Sequence, residues 1–494
     1  MHMKEFNVTG LCLPEEDYMA DISDKIKKIK EMIDARRYFA INRARQYGKT
    51  TTLATLERTL REDYLMVSIS FEGLGDESFA APEAFCPVFM ELVQRALRLT
   101  PAEEEYCNAW SDLEVKDFVS LRRHITKMCE GKKIVLMIDE VDKVSNNVVF
   151  LHFLSMLREK FLARKRNADY TFHSVILAGV YDIKNIKLKL ASEGLLTLQS
   201  SGNKIYNSPW NIAADFEVDL SFSPAEIAAM LSEYESDYKT GMNIHTVSEE
   251  IYGFTNGYPY LVSRICLHID KKLGKDWTVN GVQDAVKIML TENNTLFDDV
   301  FKNLENSREL YDFIHALLIE GEVKHFFIHN PIVAEGVRYG FFRNTDGRVA
   351  ISNRIFELLM TDYFISKDLI SKKKVNGVLK RDVVHNGRFN MELCLLKFSE
   401  HYAEIFNSDD IEFLEKHGRL IFLSYLKPFI NGEGFYHIES QFTDMRRMDL
   451  VVDYGREQFI IELKIWRGEQ YEKDAYEQLC GYLCGMCIIP SCGT

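Results

Sequence analysis

The sequence predicts a parallel α/β sheet domain, then a run of helices, then a smaller C-terminal α/β unit. Three observations carry this. Short continuous apolar runs alternate with amphipathic helical segments through about the first 180 residues. From about Ser223 the pattern is helical. Two further strand-like runs, MDLVVDY and QFIIELKIW, appear near the end beside helical segments. Strands alternating with helices define a sheet covered on both faces.

The elements follow in order. Asp21 to Asp34 carries apolar residues at helical spacing, and YFAIN (Tyr38–Asn42) reads as a short buried strand. A loop and a helix, TTLATLERTL, come next. LMVSISF (Leu65–Phe71), KKIVLMIDE (Lys132–Glu140) and SVILAGV (Ser174–Val180) read as three more strands. The unbroken apolar run of the third suits a strand buried on both faces. SPAEIAAMLSEYES has Glu226 three residues after Ser223, the pattern of a reciprocal helix cap. It opens a helical lid that contains GFTNGYPYLVSRIC (Gly253–Cys266).

From Arg308 to about Phe364, helices flank a hairpin with its turn at Asp346–Gly347, the layout of a winged-helix-like module. SKKKVNGVLKR (Ser371–Arg381) reads as a linker. The last domain begins near Arg388 with two helical segments. A Gly-rich turn, NGEGFYHIES, then leads to the two strands and a helix, EKDAYEQLCGYL. The expected domains are therefore 1–222, 223–305, 306–370 and 385–494.

A hydrophobic content of 46% suits packed cores, and a net charge of −14 argues against a protein that coats polyanions. A locally basic groove is still compatible with that charge. Cys12, Cys86, Cys107, Cys129, Cys266 and Cys394 stand alone and read as reduced thiols, most of them buried. The first residues lack an apolar run of signal-peptide length, and no stretch approaches the ~18 apolar residues of a membrane span. The expectation is a cytoplasmic protein without a membrane partner.

The strongest motif is YFAINRARQYGKTTTL. Strand, loop, Gly48-Lys49-Thr50 and helix is the context of a P-loop. Backbone N–H groups of Arg45, Gln46, Tyr47 and Gly48, with the helix start at Lys49, Thr50 and Thr51, would point at phosphates. Lys49 would neutralise the β- and γ-phosphates of ATP, and the Thr50 hydroxyl would bind Mg2+. Arg43 stands where the motif has its first glycine, so Gly-Lys-Thr taken alone also fits an ordinary loop.

IVLMIDE strengthens the reading. It is an apolar strand ending in Asp139 and Glu140, about ninety residues after the loop, which suggests a neighbouring strand of the same sheet. Asp139 would reach Mg2+ through water, and Glu140 would orient or activate the attacking water. Tyr181 or Asp182, just after the next strand, is the candidate γ-phosphate sensor. Arg264 in the lid is a candidate sensor of the nucleotide and equally reads as a packing arginine. Arg158 reads as exposed on the helix after the Asp139 strand, and no arginine finger can be assigned.

These segments, together with SVILAGVYDIKNIK and SPWNIAADFEVDLSF, resemble the bacterial AAA-ATPase-like proteins that carry a C-terminal PD-(D/E)XK nuclease-superfamily domain. In that family a non-glycine at the start of the P-loop is usual. The resemblance covers nearly the whole chain and implies an ATPase joined to a metal-dependent nuclease-like domain.

In the last domain, Asp449 precedes Glu462-Leu463-Lys464 by twelve intervening residues. Strand alternation would put Glu462 and Lys464 on one face, with Phe459, Ile461, Leu463 and Ile465 on the other. Two carboxylates and an amine make a hard-cation site. The resemblance then assigns roles. Asp449 and Glu462 would hold Mg2+ with the Leu463 carbonyl, and Lys464 would position the attacking water. Gln478 matches a glutamine frequent in the superfamily. Glu439 would add a carboxylate, and Arg446 and Arg447 would meet phosphate oxygens. The superfamily core continues into another strand after this helix, whereas this chain ends CGMCIIPSCGT, so a truncated or frame-shifted end is expected. Four of the ten cysteines fall there, spaced C-x3-C-x2-C-x4-C, which is not a usual zinc-finger layout.

The reading is thus an ATP-binding, ATP-hydrolysing protein coupled to a nuclease-like domain acting on DNA or RNA. The alternative is an ATP-dependent switch or scaffold whose nuclease-like domain is inactive and binds a partner. A DNA-remodelling ATPase that does not cut and a homo-oligomer are both left open.

Overall fold

The computed structural model describes residues 3–98, 114–144, 147–180, 210–371, 383–385, 387–405, 411–430, 433–437, 450–455 and 457–461. It divides into two compact units, one of residues 1–252 and 256–285, the other of 253–255 and 286–494. The helices between 223 and 285 cluster with the sheet domain, and those from 286 onward with the second unit.

The first unit is built on β1 (Tyr38–Asn42), β2 (Leu65–Ser70), β3 (Ile134–Asp139) and β4 (Ser174–Gly179). All pair in parallel, in the order β1-β4-β3-β2. The expectation that the Lys49 and Asp139 strands are neighbours is corrected, because β4 lies between them. Sequence separation does not reveal that a later strand returns into the gap. Beyond β1, Ala214 donates its N–H to the Tyr38 carbonyl at 2.8 Å and bridges Phe39 in parallel, so the segment around 214 lines the free edge of β1.

Period-two alternation explains the layers. Ile134, Leu136 and Ile138 of β3 enter one core, while Val135 and Met137 enter the other. Helices α3 (Pro82–Arg98), α4 (Phe118–Cys129) and α5 (Val148–Lys165) fill the first with Phe85, Phe89, Ile125 and Phe153. Helices α1 (Ser23–Asp34) and α2 (Lys49–Leu60) fill the second with Ile29, Ile33, Leu53 and Leu56. Arg158 on α5, read as exposed, is half-buried.

The lid helices are α6 (Pro224–Tyr238), α7 (Ile244–Thr255) and α8 (Pro259–Lys271). Ser223 and Glu226 form the predicted reciprocal cap on α6, a device that contributes about 1 kcal/mol. Lys25 of α1 reaches the Glu226 carboxylate at 2.6 Å. Helix α9 (Val279–Leu290) crosses the division between the units.

In the second unit, α10 (Thr295–Asn306), α11 (Arg308–Leu318) and α12 (Pro331–Arg338) precede a hairpin of β5 (Phe342–Thr345) and β6 (Arg348–Ile351). Asp346 and Gly347 both have positive φ, 50° and 79°, as a tight primed turn requires. Helix α13 (Arg354–Ser371) follows. A two-residue hairpin, β7 (Val384–His385) with β8 (Arg388–Phe389), occupies part of what reads as the start of a helix. The helix, α14 (Met391–Ile405), starts only at Met391.

Helix α15 (Ile411–Ile430) leads to an antiparallel sheet, β9 (Gly434–His437), β10 (Leu450–Tyr454) and β11 (Glu457–Ile461), ordered β11-β10-β9. The segment read as a Gly-rich turn therefore contains a strand. Four residues between glycines and a polar tail were too short a period-two signal to read as one. Arg354 of α13 pairs with Asp453 of β10 at 3.0 Å, and the Tyr436 hydroxyl of β9 donates to Asp362 of α13 at 2.6 Å.

Candidate nucleotide site in the first unit

The site lies at the carboxyl ends of β1, β4 and β3, where ligands of open α/β sheets bind. β1 ends at Asn42 and α2 starts at Lys49. Between them Gly48 adopts φ 75°, a left-handed conformation that favours glycine, and Gln46 adopts φ 55°. Gly48 supplies no side-chain cap to α2, so the first-turn amides keep their donors for another acceptor.

Lys49 is only 7% exposed. Its Nζ donates to the carbonyls of Arg43 at 3.0 Å and Ala44 at 2.9 Å. Burial pulls its pKa down, against the pull of Asp142, Glu140 and Asp139. A desolvated ammonium held by main-chain oxygens has strong reason to take up an anion.

The Thr50 hydroxyl donates to Asp139 Oδ2 at 2.8 Å, and Asp139 Oδ1 accepts the Glu140 N–H at 2.9 Å. Asp139 is 8% exposed. Glu140 has φ 56°, and burial together with Asp139 raises its pKa. A raised carboxylate pKa suits a general base. Asp142, three residues after Asp139, accepts the Val180 N–H on both oxygens at 2.7 and 2.6 Å, tying the end of β3 to the end of β4.

The lid meets the loop directly. The Tyr258 hydroxyl donates to the Arg45 carbonyl, and its ring lies edge-on to Tyr47 with centroids 4.7 Å apart. A Cβ on Gly48 would lie 3.9 Å from Pro259. Arg264 sits half-buried on α8, the helix that Pro259 begins. Thr51 Oγ1 accepts the Cys12 N–H at 3.3 Å and so turns toward the N-terminal segment. The structure thus gathers Lys49, Thr50, Asp139 and Glu140 at one point, with the Arg45–Gly48 loop around it. Cys86, Cys129, Cys266 and Cys394 are free and buried, and Cys12 is free and half-buried.

Three residues at this site were missed in the sequence. Arg43 reads there only as a departure from the motif, and Asp142 and Tyr258 are not singled out. The spacing Asp139-x-x-Asp142 and the Tyr-Pro helix start were the available signals. Asp449, Glu462, Lys464 and Gln478, with Glu439, Arg446 and Arg447, lie outside the described residues, as do Tyr181, Asp182, Cys107 and the C-terminal cysteines. Among the described residues no group of three or more His, Cys, Asp or Glu side chains is placed to hold a metal. A threonine hydroxyl with one carboxylate is nevertheless a donor set that fits Mg2+, whose remaining ligands are water and phosphate oxygens. No described helix is long and apolar enough to cross a membrane.

The family follows from residues 27–322, which match the AAA-like domain; the chain belongs to the AAA-like domain family. Among solved structures it is similar to a Walker-type ATPase of Pyrococcus abyssi, at 12% identity and TM-score 0.49, over 72% of this chain and 99% of that one. It is also similar to Cdc6p of Pyrobaculum aerophilum, at 14% identity and TM-score 0.32, over 71% and 95%. A third is the RuvB Holliday junction branch migration motor of Thermotoga maritima, at 13% identity and TM-score 0.34, over 68% and 93%. No curated protein matches the sequence.

Proposed function

We propose that the first unit binds ATP with Mg2+ and hydrolyses it. The observation that carries this is the convergence of Thr50 and Asp139, 2.8 Å apart, beside a buried Lys49. Loop amides from Arg45 to Thr51 and the Lys49 ammonium hold the phosphates. Thr50 and Asp139 would hold Mg2+, which would supply charge neutralisation at the transferred phosphoryl group. Glu140 orients the attacking water and takes its proton. Arg264, on the helix that begins against Gly48, reads the nucleotide from the lid.

The test is steady-state ATP hydrolysis with Mg2+, wild type beside Lys49→Ala and Glu140→Gln. Turnover in wild type and loss in both variants supports the reading. A wild type that binds no ATP at millimolar concentration overturns it.

Residues 385–494, within the second unit, are proposed to be a metal-dependent nuclease-like domain acting on nucleic acid. In its support, β10 and β11 pair with Leu450 opposite Ile461, and the chain neighbours just before and just after this pair are Asp449 and Glu462. Lys464 would position the water and Gln478 would support the site. Cleavage of DNA or RNA with Mg2+ or Mn2+ that disappears in Asp449→Ala and Lys464→Ala supports this. No cleavage, with nucleotide-dependent capture of a partner, favours the switch instead.

A further inference from the structure

The lid helices are tethered to the sheet by residues 214–222, and this tether is fastened at three points. Ala214 pairs with the edge of β1, the Ser221 carbonyl accepts Lys25 Nζ at 2.8 Å, and the Phe222 N–H donates to the Gly257 carbonyl at 2.7 Å. Between these points, Val218 and Leu220 are buried in the α1/α2 core.

Arg43 is the phosphate-loop residue that grips this span. Its Nη2 donates to the Val218 carbonyl at 2.8 Å and its Nη1 to the Asn42 carbonyl at 3.0 Å. Its guanidinium lies 5.5 Å from the centre of the Phe216 ring, which stacks on Phe39 at 5.8 Å and 5°. Its main chain faces the other way. The Arg43 N–H donates to the Gly179 carbonyl at 3.1 Å, and the Arg43 carbonyl accepts Lys49 Nζ at 3.0 Å. Tyr47 of the same loop also braces Ser221, but Arg43 is the residue whose own carbonyl holds Lys49.

We propose that Arg43 is a positioning residue that carries occupancy of the phosphate loop to the lid tether. The proposal rests on the ATP reading above. Phosphate oxygens compete with the Arg43 carbonyl for the Lys49 ammonium. When Lys49 turns to the phosphates, the Arg43 peptide loses that bond and is free to shift. The planar guanidinium, fixed by two hydrogen bonds and a ring, passes the shift to Val218 and Phe216. A glycine offers no such link, and a lysine keeps the charge without the fork. The residue that breaks the glycine pattern of the motif thus links the nucleotide site to the lid tether.

The experiment measures hydrogen exchange over 214–222 with and without Mg2+ and adenylyl imidodiphosphate, beside direct binding of the same analogue. Wild type, Arg43→Gly and Arg43→Lys are compared, with circular dichroism confirming that each is folded. Wild type should bind the analogue and change the exchange of the tether by a factor within the roughly 5- to 150-fold of ordinary site-to-site coupling. Both variants should bind within about fivefold of wild type yet lose that change. A ligand-dependent change that persists in Arg43→Gly overturns the proposal. So does a parallel loss of binding and of the exchange change in both variants, which marks a purely structural residue. A wild type that does not bind the analogue overturns the ATP reading itself, a result distinct from either of these.

Discussion

Thr50 Oγ1 and Asp139 Oδ2 lie 2.8 Å apart although they come from different strand–helix connections. The hydroxyl begins α2 and the carboxylate ends β3, with β4 between their strands. On the proposed reading both would hold the same Mg2+, and so should act as a unit. Thr50→Val and Asp139→Asn are each expected to weaken Mg2+ dependence of ATP turnover by about 10- to 100-fold. The double variant should lose less than the product of the two. A Mg2+ titration of hydrolysis in the four proteins checks this, and full additivity would separate the two residues.

Lys49 predicts an inverse relation between stability and function. Its ammonium is buried with main-chain carbonyls as partners, and burial lowers its pKa. A pKa lowered by burial means that the folded state carries this charge at a cost. Lys49→Met should therefore melt at or above the wild-type temperature without ligand. With ATP at about 100 times its Kd, wild type should gain about 2.7 kcal/mol. Lys49→Met should gain almost nothing. Thermal melts with and without Mg2+ and ATP provide the comparison.

The four strands of the first sheet were legible, with ends a residue or two off, because buried parallel strands advertise themselves. IVLMID is apolar at each of its first five positions since both faces are covered, and YFAIN ends where the loop begins. The Gly48-Lys49-Thr50 turn was legible because strand, loop, Gly-Lys-Thr and helix follow one another in the order a P-loop requires. Strand order was not legible, since β4 enters between β1 and β3 although it begins only at Ser174, after a helix that follows β3. Nor was the grip of Arg43, whose partners Val218 and Phe216 lie far along the chain and use a carbonyl and a ring face that leave no spacing signal. Asp142 was hidden for the same reason, as its partner is the main-chain N–H of Val180.

Lys160 and Asp169 form a buried pair between α5 and the approach to β4. Lys160 is fully buried, its Nζ lies 2.7 Å from Asp169 Oδ2, and Thr126 of α4 bonds both. Breaking one side leaves an uncompensated buried charge. Asp169→Ala is expected to cost about 3–5 kcal/mol. Lys160→Met combined with Asp169→Ala should recover part of that, because the double variant buries no charge. Urea unfolding of the three proteins decides it, and a double variant weaker than Asp169→Ala would be the contrary result.

His173 gives a pH dependence with a definite sign. It precedes β4, its N–H donates to the Ile134 carbonyl at 2.7 Å, and its ring lies 5.0 Å from Tyr64. Burial, with Arg36, Arg164 and Lys133 nearby, lowers its pKa from 6.5 to about 4. The folded state thus resists a proton that the unfolded chain accepts. Stability associated with His173 is fully present above pH 6.5 and is lost as the pH falls from there toward about 4. His173→Gln, which cannot take up the proton, should flatten that part of the stability curve while changing stability at pH 8 less. Denaturant unfolding from pH 8 to 4 measures the slope. An unchanged slope between pH 6.5 and 4 in His173→Gln would assign the acid sensitivity to other groups.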